Sequence, residues 1–269
     1  MALLTSESNG QGSVARNGAD GGAAYTIKMS KLQGKVALVT GAAKRIGRAI
    51  ALALAEEGAN VVITYRDSAE HAAKTVSEIE ALGSRAAAIH ANLRDPESIR
   101  AAVAQAAAQF GSIDILVNNA GRFETAAIEE ISVEQWDAMF ETNTRGPFLT
   151  AQAALPYLKA ARGRIINIGS LGGTHPWPTH AHYCTSKAAL HMLTQTMSKA
   201  FAPEISVNCV APGMIVSGEV SAEYEHFARK TPMRRNGSPL EVAAAVVFFA
   251  TGPHFITGQI LGVDGGLGL

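Results

Sequence analysis

Residues 35–66 read KVALVTGAAKRIGRAIALALAEEGANVVITYR, and their pattern decides the fold. An unbroken apolar run, Val36–Thr40, leads into a glycine turn. A stretch of helical period follows over Ile46–Glu57, and then a second apolar run, Val61–Tyr65. Apolar residues at consecutive strand positions imply burial on both faces, which marks a parallel strand covered by helices. The helical stretch between the runs supplies the crossover that parallel strands need, and such crossovers are right-handed. Within the turn, Gly41 permits the tight bend and Gly47 lets helix and strand approach closely. The open amides of Lys44, Arg45, Ile46 and Gly47, at the positive end of the helix, favour a pyrophosphate. Taken alone the turn also fits an ordinary strand–helix connection, because Arg45 stands where a dinucleotide turn has its middle glycine.

The alternation continues outward from this unit. Further strands are expected at Ala86–His90, Ile113–Val117, Arg164–Ile168, Ser206–Val210 and Gln259–Val263. Further helices are expected at Ala69–Leu82, Pro96–Phe110, Val133–Lys159, Tyr183–Phe201 and Leu240–Ala250. This order predicts an α/β chain with a doubly wound, seven-stranded parallel sheet of Rossmann type and helices on both faces. Residues 1–30, rich in Gly, Ser, Asn and Ala without apolar period, read as a disordered tail, and residues 31–269 as one domain.

Composition narrows the function. The 269 residues are 47% hydrophobic and 17% charged, and 23 Lys+Arg balance 23 Asp+Glu. A neutral chain has no general attraction for nucleic acid or anionic lipid, so neither is expected as a partner. No apolar run approaches the roughly 18 residues of a membrane span. Met1–Gly10 lacks the basic flank of a secretory signal. Two cysteines, Cys184 and Cys209, build no disulfide framework, and a cytoplasmic location is expected.

The end of the second strand bears on cofactor choice. An acid about 20 residues after the glycines would grip a ribose with free hydroxyls. Tyr65, 24 residues after Gly41, stands there instead, and Arg66 follows it with a fork-shaped donor for a 2′-phosphate. With Lys44 as a second cation, NADP(H) is the expected cofactor. If Asp67 rather than Tyr65 faces the ribose, NAD(H) takes its place. Arg66 and Lys44 read equally as solvated surface cations.

Tyr183 and Lys187 are i and i+4 on one helix, so they share a face. A phenol titrates near 10, and a neighbouring cation lowers that value toward neutrality. The pair can then give a proton to an alkoxide or take one from an alcohol. The glycine turn, Asn118-Asn119-Ala120-Gly121 after the fourth strand, Asn143 within a long helix, Ser170 placed 13 residues before Tyr183, Pro212-Gly213 and Val263-Asp264-Gly265-Gly266 follow in order. This set resembles the short-chain dehydrogenase/reductase family over about Gln33 to Gly266.

The resemblance implies roles for these positions. Ser170 would hydrogen-bond the substrate carbonyl, Tyr183 would donate the proton, and Lys187 would contact the nicotinamide ribose and hold down the tyrosine pKa. Asn143 would anchor a water linking Lys187 to solvent. Asn118, Ala120 and Gly121 would line the cofactor cleft, and Pro212, Gly213, Ile215 and Ser217 would pass the nicotinamide. Asn92 and Leu93 would meet the adenine. The family usually has aspartate in place of Asn92, and asparagine can still accept from the adenine amino group through its carbonyl oxygen. The Lys-Arg pair in the turn is similar to the pteridine reductases, whereas serine at 170 is similar to the oxoacyl-carrier-protein reductases.

On the substrate side, Pro176 and Pro178 stiffen the loop that carries Trp177. Residues 214–230 resemble a mobile lid, and Arg122 and Phe123 either face the pocket mouth or form a rim without special role. The loop histidines 175, 180 and 182 read as polar loop residues, and no metal is expected. Arg229, Arg234 and Arg235 read as surface arginines or as a patch for an anionic partner. The expected activity is NADPH-dependent carbonyl reduction, with a 3-oxoacyl thioester as leading substrate. A pterin, quinone, small ketone or sugar, an NAD-linked alcohol dehydrogenase, and an NADP-sensing regulator without turnover are the alternatives. The resemblance implies a homotetramer.

Overall fold

The computed structural model describes residues 31–218 and 222–269, so the expected tail at 1–30 lies outside the described residues. Seven parallel strands form one sheet: β1 (Val36–Val39), β2 (Asn60–Tyr65), β3 (Ala86–His90), β4 (Ile115–Asn118), β5 (Arg164–Ile168), β6 (Ser206–Pro212) and β7 (Ile260–Val263). Their spatial order is β3-β2-β1-β4-β5-β6-β7. The chain therefore reverses direction of winding at β1, which pairs with β2 on one side and β4 on the other. The crevice at the carboxyl ends of these strands is where a doubly wound sheet takes a ligand.

Helices α1 (Arg45–Glu56), α2 (Ala69–Ala81) and α8 (Pro239–Thr251) lie on one face. Helices α3 (Pro96–Phe110), α5 (Gly146–Ala161) and α6 (Ala181–Ala200) lie on the other. Each face has its own core. Ile50, Leu54, Val61, Ile63, Val117 and Val246 fill one, and Leu38, Val62, Leu116, Leu158, Ile165 and Val207 the other. Neighbouring strand residues point to opposite cores, which explains the unbroken apolar runs.

The long helix expected over Val133–Lys159 is two helices, α4 (Val133–Phe140) and α5, joined by a π-helical turn, Glu141–Arg145. Gly146 N–H reaches back to the Glu141 carbonyl across that turn. A further helix, α7 (Ala222–Lys230), occupies part of the stretch read as a lid. No helix among the described residues is long and apolar enough to cross a membrane.

Candidate active site

The turn after β1 is built by side chains that hold its backbone. Thr40 Oγ1 accepts from Asn119 N and Ala120 N, and Thr64 Oγ1 accepts from Gly41 N. Asn119 Nδ2 donates to the carbonyls of Thr40 and Gly41 at 2.9 and 3.0 Å. Gly41 has φ +63°, and a Cβ there would lie 2.8 Å from Ala120 Cα. A Cβ on Gly47 would lie 2.4 Å from Asn119 Nδ2 and 2.6 Å from the Gly41 carbonyl oxygen. Both positions need glycine for steric reasons, and at Gly41 for the left-handed backbone as well.

Helix α1 opens on this turn without a side-chain cap and without an acid in its first turn. By contrast, Asp95 caps α3, and capping boxes close the starts of α4 and α8. The first amides of α1 are thus left for an anion. They face a cleft of about 740 Å³ that runs from Lys44, Arg66 and Asn92 at one end to Ser170, Tyr183 and Lys187 at the other. Arg45, Ile46, Tyr65, Leu93, Ala120, Gly121, Pro212, Gly213, Ile215 and Ser217 also line it. Open helix amides, exposed cations at one end and a glycine floor at 121 are a donor set that fits a dinucleotide phosphate.

At the other end, Ser170 caps the short 3₁₀ turn Leu171–Gly173 and accepts from Gly172 N at 3.1 Å. Tyr183 stands between Phe123, edge-on at 4.8 Å, and Trp177, nearly parallel at 6.1 Å. Burial raises the Tyr183 phenol above its ordinary pKa, partly offset by a hydrogen bond with the Ser170 side chain. Lys187 is buried, its ammonium lies 6.0 Å from the Tyr183 ring centre, and it donates to the Ile168 carbonyl at 2.8 Å. Burial pushes Lys187 itself down to about 8. Desolvation is the largest influence on Tyr183, the Ser170 hydrogen bond is what lowers it, and one donor of the Lys187 ammonium goes to Ile168.

Residues 41–268 match the family model described as enoyl-(acyl carrier protein) reductase. The chain is 40% identical to the 3-oxoacyl-(acyl-carrier-protein) reductase FabG of Staphylococcus aureus over 87% of its own length and 98% of that relative. A short-chain dehydrogenase/reductase from Serratia marcescens superposes with a TM-score of 0.85 at 37% identity, covering 89% of this chain and 100% of that one. A short-chain dehydrogenase from Burkholderia cenocepacia, solved in complex with NADP, does so at 0.84 and 40% identity, with the same coverages. This chain belongs to the short-chain dehydrogenase/reductase family.

Not every residue expected to line the cleft of this short-chain dehydrogenase/reductase does so. Asn118 is buried and donates through Nδ2 to Asn167 Oδ1, and Asn167 donates in turn to Thr194 Oγ1, tying β4 and β5 to α6. Its neighbour Asn119 lines the cleft instead, a shift of one residue that the alternation of a strand end makes hard to foresee. Asn143 sits in the π-helical turn and is fully buried, accepting from Arg122 N and donating to Arg122 O and Ser186 Oγ. It braces the loop after Gly121 and does not line the cleft. Asn92 Oδ1 already accepts from Arg94 N, so one lone pair of that oxygen is engaged. Arg66 donates to Asp67 Oδ2 at 2.5 Å, with both residues exposed on the cleft rim.

Arg45 adopts φ +55°, the left-handed region its family's usual glycine suits. Arg122 and Phe123 do line the cleft mouth, and Arg122 is ion-paired with Glu124. Arg235 pairs with Glu241 and Arg229 with Glu225, so two arginines of the basic patch have acidic partners. His180 bonds Thr125 and Thr179, and His175 bonds Thr174. Among the described residues no group of three His, Cys, Asp or Glu side chains gathers as a metal site.

Proposed function

We propose that this oxidoreductase is an NADPH-dependent carbonyl reductase acting on a 3-oxoacyl thioester, with Tyr183 as proton donor. The observation that carries the reading is one cleft with Ser170, Tyr183 and Lys187 on its wall and, at its far end, the uncapped start of α1 beside Lys44 and Arg66. The name of the Staphylococcus relative and the NADP in the Burkholderia structure support it. NADPH, when bound, supplies a hydride to the carbonyl carbon. The first amides of α1 take the pyrophosphate, and Arg66 with Lys44 takes the 2′-phosphate. Ser170 donates to the carbonyl oxygen as negative charge develops on it. A phenol carries its proton at neutral pH, the state a donor needs, and burial of Tyr183 raises its pKa further. The Lys187 ammonium then stabilises the phenolate left behind. Residues 214–230 are read as the lid, and the protein as a cytoplasmic homotetramer, as the family resemblance implies.

The Arg66–Asp67 ion pair favours a second reading. With its cation held by a neighbour, the rim offers Asp67 to a free ribose, which suits an NAD-linked alcohol dehydrogenase. Both are tested by following oxidation of NADPH and of NADH with acetoacetyl-coenzyme A and a panel of ketones. NADPH turnover well above NADH turnover is expected. Arg66→Ala should weaken NADPH binding by about 10- to 100-fold, the worth of a charge-assisted hydrogen bond, and leave NADH unchanged. Equal binding of the two cofactors would overturn the NADPH reading. NADPH binding without oxidation by any carbonyl would favour a cofactor-sensing regulator.

A further inference from the structure

One buried titratable side chain beside the site has no part in the chemistry above. His191 lies on α6 one turn beyond Lys187 and is 4% exposed. Its ring fills the space beneath the turn that carries Ser170. A Cβ on Gly169 would come within 2.3 Å of His191 Nε2, and one on Gly173 within 2.4 Å of Cε1. The ring therefore touches bare backbone on both sides of Ser170, and the glycine on either side is what lets it in. The Ser170 backbone N–H donates to His191 Nε2 at 3.5 Å. His191 Nδ1 is buried without a partner. Desolvation, reinforced by the nearby Lys187 ammonium, pushes His191 down to about 4. The imidazole is then neutral in the working range and keeps a lone pair for that N–H.

We propose that His191 is a positioning residue: wedged between Gly169 and Gly173, it accepts the Ser170 backbone N–H through Nε2 and so fixes the turn that aims the Ser170 hydroxyl at Tyr183. What Ser170 does for the substrate rests on the reductase reading, whereas what holds Ser170 rests on this geometry alone. The distinction from ordinary packing is chemical. A residue that merely fills space is replaced by an apolar side chain of similar size, and an acceptor is replaced only by another acceptor.

The test compares three variants of the full chain: His191→Leu, His191→Met and His191→Gln, the last able to place Oε1 near the position of Nε2. Thermal melting and NADPH fluorescence titration report folding and cofactor binding. Hydrogen exchange over 169–174 reports the turn without any substrate. Losing the acceptor should speed exchange there by about 10-fold in the apolar variants, the worth of one hydrogen bond, while His191→Gln stays near the wild type. With acetoacetyl-coenzyme A, kcat of the apolar variants should fall about 10- to 100-fold, as a misplaced catalytic group costs. The KM for NADPH should stay within about 2-fold, since the cofactor end is untouched. The proposal is overturned if Gln is as impaired as Leu and Met, or if the apolar variants match the wild type. It is also overturned if only His191→Gln folds, which would make the role structural. Should the wild type leave acetoacetyl-coenzyme A untouched, the thioester reading falls, and the exchange comparison by itself decides the role of His191.

Discussion

At one end of the cleft stand Lys44, Arg45 and Arg66, all exposed; at the other stand Tyr183 and Lys187, with His191 and Cys209 buried behind that wall, all four largely withdrawn from water. The first group acts through position. Its charges reach a ligand because the backbone beneath them is locked by Thr40, Thr64 and Asn119. The second group acts through state. Desolvation is the largest influence on each of its four members, raising the phenol and the thiol and lowering the two bases. A cleft can thus hold its cofactor with solvated charge at one end and still do proton chemistry in a dry corner at the other. If that division is real, changes at one end should alter binding and changes at the other should alter turnover.

The sharpest separation should come from Tyr183→Phe. Removing the proton donor should lower kcat by about 100- to 10,000-fold while NADPH titration stays unchanged. Loss of binding in step with the rate would show that the two ends are not separate. At the opposite end, Gly47→Ala forces a methyl against Asn119 Nδ2 and the Gly41 carbonyl. Asn119 must give up its bonds or α1 must move, an overpacking cost of about 1–3 kcal/mol. A lower melting temperature and NADPH binding weakened by about 10-fold are expected. Unchanged binding would mean that the α1 amides do not hold the cofactor.

A pH series probes the dry corner directly. Lys187 is lowered from its ordinary 10.5 to about 8, so it is an ammonium at neutral pH and loses that charge as pH rises through about 8. The reduction rate should therefore be level below that point and fall above it. Stability should respond in the opposite sense. Between about 8 and 10.5 the unfolded chain holds a proton that the folded one has released, so this group's contribution favours folding as pH rises across that window. It is lost as pH falls through about 8. Kinetics and denaturant melts on the same samples check both signs, and a rate flat to pH 10 would remove Lys187 ammonium from the reaction.

The same division explains what the amino-acid sequence disclosed. Apolar runs and helical period located the seven strands, because burial on two faces leaves a continuous mark that local reading can see. Gly41, Tyr183 and Lys187 were legible through the family resemblance that the ordered set of motifs carries, and all three line one cleft. The π-helical turn at 141–145 was not, since Glu-Thr-Asn-Thr-Arg carries no helix-breaking residue, and the cause lies in Asn143 gripping the backbone of Arg122. Nor was α7, whose polar composition reads as loop. Asn119 was passed over for Asn118 because only the paired strand β5 reveals which of the two turns inward. His191 offered a lone histidine at helical spacing, and its meaning lies in two glycines far back in the chain. The protonation states were beyond reach for a general reason: spacing puts a cation near a phenol, whereas burial, which depends on the whole fold, sets the larger influence.

The smallest expected effect tests whether the exposed end tolerates strain for a purpose. Arg45 holds φ +55°, where a side chain costs about 1–2 kcal/mol relative to the right-handed region. Arg45→Gly removes that strain, while the freer unfolded chain takes back about 0.5–1 kcal/mol. The net result should be a gain in stability of at most about 1 kcal/mol, read as a shift in the denaturant midpoint. If Arg45 is kept for its charge on the cleft wall, the gain should come with NADPH binding weaker by a factor of about 2–5, less than for Arg66→Ala, since a surface charge contact is worth under about 1 kcal/mol. A stabilised variant that binds as before would show that the left-handed arginine is merely tolerated, and that Lys44 and Arg66 supply the positive charge at this end. A variant no more stable than the parent would show that the turn, braced by Thr40 and Asn119, sets its own geometry whatever residue stands at 45.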